Sequence, residues 1–264
     1  MKIGILITAR LGSTRLQNKH LLPVREQPIL HYLLARIRME FADEMRSGRV
    51  QLIIATSNEP ENQEFERFSA EGAVVHYGCK NNIPLRHLET ARAHLLDAII
   101  AVDGDDILCS VEGMRAVYQR LLQGSSYVRT TGLPFGMNSM GYTTIFLGTS
   151  LEGHLDDTLE TGWGRIFDSR KLTDIEIAFP VQDSALRFTL DYPEDLQFFS
   201  SVIDSLGDAA YTEHDSGIVN IVLEKKLFLI NHVITKQYWD NFYRLQEEEQ
   251  KGSPAGNPVK GKSS

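Results

Sequence analysis

Apolar runs that end in small polar residues recur three times in the first half of the chain, at Ile3–Thr8, Val50–Ser57 and Ala98–Asp103. Such short, nearly unbroken runs are the pattern of strands buried on both faces. Between the first two, Ile29, Leu30, Tyr32, Leu33, Leu34 and Ile37 recur at helical spacing across Pro28–Met39. Between the second and third, Glu61–Glu71 and Arg86–Leu96 read as helices. Strands alternating with helices predict an α/β fold built on a doubly wound, mainly parallel sheet. Ligands of such sheets sit beyond the carboxyl ends of the strands. All three runs end at residues with chemistry to offer: Arg10, Thr56-Ser57 and Asp103–Asp106.

The second half is patterned differently. Tyr127–Thr131 and Gly141–Phe146 read as strands around a glycine-rich turn, which predicts a small β insertion or arm on the substrate side at about 127–180. Leu186–Leu190 reads as a further short strand. Pro193–Leu206 reads as a helix opened by Pro193, with Glu194 and Asp195 in its positive first turn. Phe228–Thr235 is apolar and Tyr238–Leu245 is aromatic-rich, which suits an association surface and hence a homodimer. From Gln246 onward almost nothing is apolar, so 1–245 reads as one domain and 246–264 as a disordered tail.

Composition narrows the setting. A chain of 264 residues suits one large α/β domain. Its longest apolar runs are far short of a membrane span, and Met1-Lys2 leads straight into strand-like sequence without a signal-peptide pattern. Two cysteines, Cys79 and Cys109, suggest neither a disulfide framework nor a zinc site. The expectation is a cytoplasmic protein without a membrane partner. A formal net charge of −8 argues against a nucleic-acid partner. Against that background the first 25 residues invert the sign: they hold Lys2, Arg10, Arg15, Lys19 and Arg25 and no Asp or Glu.

The loop after the first strand, Ala9-Arg10-Leu11-Gly12-Ser13-Thr14-Arg15 with Lys19 beyond it, therefore reads either as a solvated basic turn or as an anion site. On the second reading its amides and the Ser13 and Thr14 hydroxyls hold phosphate oxygens, while Arg10 and Lys19 neutralise them. Arg15 either joins them or pairs with an acid on the sheet. Asp103-Gly104-Asp105-Asp106 crowds carboxylates that repel one another unless a cation is present. A hard cation such as Mg2+, which takes one or two carboxylates plus phosphate oxygens, suits that group; an Asp-Gly turn before a helix N-cap is the plain alternative. Cys79 has no His-plus-acid partner pattern, and the eight histidines show no metal-ligand spacing.

Ile7-Thr8-Ala9-Arg10-Leu11-Gly12-Ser13-Thr14-Arg15-Leu16, followed by Lys19, resembles the opening of the CMP-sugar synthetases. The resemblance is closest to the SpsF-type cytidylyltransferases and CMP-Kdo synthetase. Leu190-Asp191-Tyr192-Pro193-Glu194-Asp195-Leu196 is similar to the same family's D-x-P-E-D-L. The resemblance implies a Rossmann-like nucleotidyltransferase fold and a Mg2+-dependent transfer of CMP from CTP to a small acidic acceptor such as an acidic sugar. Pyrophosphate leaves, and the product serves cell-surface polysaccharide synthesis. It assigns Mg2+ to Asp105 and Asp191, and catalysis to Arg10, Lys19 and Asp105. It places Ala9, Arg10, Gly12, Ser13, Thr14, Arg15, Lys19, Thr56, Ser57 and Arg86 around the nucleotide. Asp103 joins them by position, since the family often has Gln or Thr there. Gln17 and Ile107 replace prolines of the family pattern, Asn18 replaces a glycine, and Cys79–Asn82 replace an acidic stretch. Two other readings stay open: a glycosyltransferase using Asp103-Gly104-Asp105 as a D-x-D site, and a non-catalytic nucleotide-binding homologue. On the transferase reading, alanine at Lys19 or Asp105 abolishes most turnover and spares the fold.

Overall fold

The computed structural model describes residues 1–178 and 186–252. In chain order its elements are β1 (Ile3–Thr8), β2 (Pro23–Val24), β3 (Gln27–Pro28), α1 (Leu30–Glu40), α2 (Ala42–Arg46), β4 (Val50–Ser57), β5 (Val74–Gly78), α3 (Ile83–Ala93), β6 (Ala98–Asp103), α4 (Val111–Leu122), β7 (Tyr127–Thr131), β8 (Met140–Thr143), α5 (Thr144–Ser150), β9 (Leu172–Glu176), α6 (Pro193–Leu206), α7 (Asp215–Glu224) and α8 (Thr235–Gly252). Short 3-10 segments join several of them.

The three apolar runs become β1, β4 and β6 with the bounds their sequence sets, and they lie side by side. The seven-stranded sheet runs β5-β4-β1-β6-β8-β7-β9. Strands β5, β4, β1 and β6 are parallel; β8 runs antiparallel to both neighbours, and β9 is parallel to β7. The strands expected of an insertion thus extend the main sheet. Alternation along β1 sends Ile3, Ile5 and Ile7 to one face, where Leu30, Leu33 and Leu34 of α1 and Met114 and Val117 of α4 meet them. Leu6 faces the other way with Ile53 and Ile99, against Leu88 of α3 and Phe146 and Leu147 of α5. Each such side chain stabilises the fold by about 1.5–3 kcal/mol on leaving water. A third cluster joins α6 and α7 to Ile107, Leu108, Phe188 and Leu190.

Four local readings change. Pro60–Glu71 is a 3-10 helix; its buried Asn62, Phe65 and Phe68 are three apart, a spacing that three residues per turn bring onto one face. The strand expected at Gly141–Phe146 stops at Thr143, whose hydroxyl accepts from the Phe146 amide and starts α5. Leu186–Leu190 forms no ladder among the described residues and makes a single bridge there, Arg187 to Phe135. Helix α8 runs to Gly252, so 246–252 is helical where a disordered tail was expected, because Glu249 accepts from the Thr161 amide and from Arg165 across the fold; 253–264 lie outside the described residues. Most of the aromatic stretch expected to offer an interface packs within the chain: Tyr238 and Trp239 sit against Phe135. Leu229, Val233 and Tyr243 stay exposed. No helix among the described residues is long and apolar enough to cross a membrane.

Two close approaches set the mouth of the sheet. The Gly104 amide donates to the Thr8 carbonyl at 2.8 Å, and a Cβ at Gly104 would meet Ala9 Cβ at 2.9 Å and Thr8 O at 3.0 Å. Only glycine lets the loops leaving β1 and β6 press together here. The Leu190 amide then donates to the Asp105 carbonyl at 2.9 Å, which draws the chain before α6 alongside Asp105.

Candidate active site

Lys19 lies at the centre. It is 5% exposed, in a short 3-10 turn that brings the end of the basic loop back under the sheet's mouth. Its Nζ donates to Asp105 Oδ2 at 2.5 Å and to Asp191 Oδ1 at 3.2 Å. The two aspartates are 86 residues apart in the sequence and share one ammonium. Burial works against the Lys19 charge, but Asp105 and then Asp191 overcome it and raise its pKa above the ordinary lysine value. Burial likewise opposes the Asp105 charge, and Lys19, then His20, outweigh it and hold that carboxyl well below the usual range. His20 Nε2 lies 2.9 Å from Asp105 Oδ1.

Two arginines fix Asp191. Its Oδ1 also accepts from Arg15 at 2.7 Å, and its Oδ2 accepts from Arg187 at 3.0 Å. Arg187 is 1% exposed and grips Asp195 with Nε at 3.0 Å and Nη2 at 3.2 Å. Asp195 in turn accepts from the Asp191 and Tyr192 amides and from Asn231. It therefore caps α6, as its place in the first turn suggests, and also anchors the arginine that aims Asp191. Tyr238 of α8 covers that arginine, its ring 4.1 Å from the guanidinium.

The remaining sequence candidates are placed unevenly. Arg15 pairs with the acid of its alternative reading, Asp191. Arg10 leads away from Lys19 and donates to Glu160 at 2.9 Å, so an internal carboxylate already engages its guanidinium. Ala9 is buried against Gly104, whereas Gly12 and Thr14 are exposed and Ser13 is half-buried. Thr56 and Ser57 are wholly buried and present no surface to a ligand. Asn62 ties Ser57 to the basic loop: it donates to the Ser57 carbonyl at 2.9 Å and accepts from the Leu11 amide at 2.9 Å. That amide is thereby withdrawn from the set expected to hold phosphate. Arg86 is 2% exposed and donates to the Cys79 and Lys80 carbonyls, each at 2.7 Å, which makes it the clamp of that turn.

Sequence reasoning missed His20, Arg187, Glu160 and Asn62. His20 sits next to Lys19. Arg187 stands four residues before Asp191 and eight before Asp195, a regular charge spacing that could have flagged it. Nothing in the local pattern marks Glu160 or Asn62.

The donor set suits a hard cation. Burial and then the Asp105 charge push Asp103 up to about 7, although its side chain is open to water and screening trims that push. Burial, then Asp103, pushes Asp106 up as well. Acid is in excess at this point. Among the described residues no three acidic, histidine or cysteine side chains converge on one point. A metal here would rest on Asp105 and Asp191 together with ligand oxygens, the arrangement Mg2+ commonly accepts.

On the α3 side of β1, the Thr8 hydroxyl lies 2.8 Å from His87 Nε2, and His87 Nδ1 lies 2.6 Å from the Tyr142 hydroxyl. Burial, helped by Arg86, lowers the His87 pKa from 6.5 to about 3. The unfolded chain takes up a proton at His87 below about 6.5 and the folded protein does not until about 3, so this stability is complete above pH 6.5 and is lost as pH falls toward 3. The expected slope is about 1.4 kcal/mol per pH unit in that window. Urea denaturation of wild type and His87→Gln at pH 7.5, 6 and 5 checks it: the stability difference must shrink as the pH falls.

A family model described as cytidylyltransferase matches residues 4–147. An uncharacterized protein of Methanocaldococcus jannaschii is 31% identical over 146 residues, 54% of this chain and 57% of the relative. The spore coat polysaccharide biosynthesis protein SpsF of Bacillus subtilis is 29% identical over 137 residues, 51% of this chain and 56% of the relative. The chain spans little more than half the length of these curated relatives. Among solved structures, a cytidylyltransferase from Leptospira borgpetersenii serovar Hardjo-bovis matches with a TM-score of 0.73 at 23% identity, covering 88% of this chain and 98% of that one. CMP:2-keto-3-deoxy-manno-octonic acid synthetase complexed with CTP matches with a TM-score of 0.55 at 14% identity, covering 78% and 99%. At these identities the structural matches establish a shared fold.

Proposed function

The chain belongs to the cytidylyltransferase family, and from that premise we propose that it transfers CMP from CTP to a small acidic acceptor, an acidic sugar or a related metabolite, with release of pyrophosphate. The observation that carries this reading is the convergence of Asp105 and Asp191 on the Lys19 ammonium, beside a basic loop at the carboxyl ends of parallel strands. A role in polysaccharide synthesis in the cytoplasm is part of the proposal, supported by the likeness to SpsF.

An acceptor oxygen attacks the α-phosphorus of CTP; the new P–O bond forms as the bond to pyrophosphate breaks. The protein's part is alignment and neutralisation of charge. Arg15 and Lys19 hold Asp191, and Lys19 and His20 hold Asp105, so both carboxylates stay in place as the triphosphate approaches. Arg10 exchanges Glu160 for phosphate oxygens. Mg2+, held by Asp105 and Asp191 when bound, supplies further neutralisation of the phosphate charge. The D-x-D glycosyltransferase reading loses support because Asp105 works with the distant Asp191, while Asp103 turns to the other face of the sheet beside Thr8.

Pyrophosphate release, measured with Mg2+ and each of the four nucleoside triphosphates against a panel of acidic sugars and phosphorylated metabolites, tests the proposal. CTP with one acceptor is expected to give release. Release with another nucleotide alone, or sugar transfer from a sugar nucleotide without pyrophosphate, overturns it.

A further inference from the structure

A buried hydrogen-bond chain ends at the mouth of this site. Tyr142 and His87 are both fully buried, whereas Thr8, the last residue of β1, is only half-buried. Hydrogen counting sets the direction of the chain. Burial keeps the Tyr142 phenol protonated and the His87 ring neutral, so each carries one hydrogen to donate. Among the described residues the Tyr142 hydroxyl has one partner, His87 Nδ1. Were the ring hydrogen on Nδ1, the phenol O–H would be buried without an acceptor and its full desolvation penalty would stand. Tyr142 therefore donates to Nδ1, Nε2–H donates to Thr8 Oγ1, and among the described residues nothing accepts the Thr8 hydrogen, which is left for a ligand.

We infer that Thr8 is a further ligand-binding residue, whose hydroxyl donates to an oxygen of the nucleoside half of the bound nucleotide. His87 and Tyr142 are positioning residues that keep its hydrogen free. The inference rests on the proposed cytidylyltransferase reading and goes beyond it. The nucleoside half is indicated by the face on which Thr8 lies. Its side chain meets α3, on the side of β1 that also carries Leu6, and the Arg86-clamped turn of Cys79 and Lys80 leads into that helix. Lys19 and the two aspartates gather with His20, which packs edge-on against Phe65 in the core of the opposite face. Thr8 is thus turned away from Lys19, Asp105 and Asp191, the charges that suit a triphosphate, and shares its face with Asp103, its register partner on β6. A neutral donor fed by a neutral imidazole suits a pyrimidine carbonyl or a ribose oxygen.

Calorimetric titration of CTP and of CMP into the full-length wild type, Thr8→Val and Thr8→Ser, with Mg2+ present, tests this. Thr8→Val is expected to weaken both nucleotides by about five- to tenfold, the worth of one hydrogen bond, and Thr8→Ser to stay within about twofold of wild type. Nitrogen-15 NMR of wild-type His87 is expected to place its hydrogen on Nε2, a reading that needs no variant and stands even if Thr8→Val folds poorly. A hydrogen on Nδ1, unchanged affinity in Thr8→Val, or a penalty seen with CTP and absent with CMP overturns the inference. Failure of the wild type to bind any cytidine nucleotide overturns the family-level reading of the site, which separates the two failures.

Discussion

Asp105→Asn lowers turnover by about 10²–10³-fold, the cost of removing one preorganised charged group from such a centre, while the protein keeps its fold. Asparagine fills the same volume and keeps one acceptor oxygen, which can still take the Lys19 bond while its NH2 group faces His20, so the loop beside Gly104 holds its place. What it loses is the charge that Lys19 and His20 keep fully developed. Steady-state pyrophosphate release, read beside the melting temperature, checks this. Activity within about fivefold of wild type, far short of the loss expected for such a group, would remove Asp105 from the reaction. Lys19 behaves differently from the expectation drawn on sequence alone. Its ammonium is buried between two carboxylates, so Lys19→Ala leaves those charges without their counterion and costs stability as well as turnover.

Arg187→Met gives the largest loss of stability. The side chain is buried with Asp195 and Asp191, which are 0% and 3% exposed, and breaking such a network from one side costs about 3–5 kcal/mol. For a protein of this size that corresponds to a fall in melting temperature of about 10 °C. Asp195 keeps its backbone donors and Asn231, so the first turn of α6 survives. Asp191 loses the partner of its Oδ2 and turns toward Lys19 and Arg15, and turnover falls with it. Thermal unfolding of wild type, Arg187→Met and Arg187→Lys measures the effect: lysine restores the charge without the paired donors and recovers part of it. A melting temperature within about 2 °C of wild type in Arg187→Met, less than the shift for 1 kcal/mol, would show that the network is not structural.

Much of this architecture was legible locally. Ile3–Thr8, Val50–Ser57 and Ala98–Asp103 could be bounded from the chain because a strand buried on both faces is mostly apolar and ends where small polar residues gather, and the pairing register places all three at the centre of the sheet. Tyr127–Thr131 and Pro193–Leu206 were equally plain. The basic loop and the aspartates at 105 and 191 stood out by charge and by motif. Where the local signal misled, a competing local rule had won: the Thr143 cap turned a strand into a helix, and the three-residue spacing of Asn62, Phe65 and Phe68 wound a 3-10 segment where an α-helix was expected.

Pairing was another matter. That Lys19 would be buried between Asp105 and Asp191, that Arg10 would turn to Glu160, and that Arg86 would clamp a turn are outcomes of segments meeting across 86, 172, 150 and 6–7 residues. Charge patterning shows that cations and acids are present, and burial then selects which of them must find each other, because an unpaired charge out of water costs more than any local preference supplies. The α/β class, the mainly parallel sheet and the kinds of chemistry at the strand ends follow from periodicity and residue type. Which side chains face a ligand, and which are spent holding those that do, follows only from the packing of distant segments against one another.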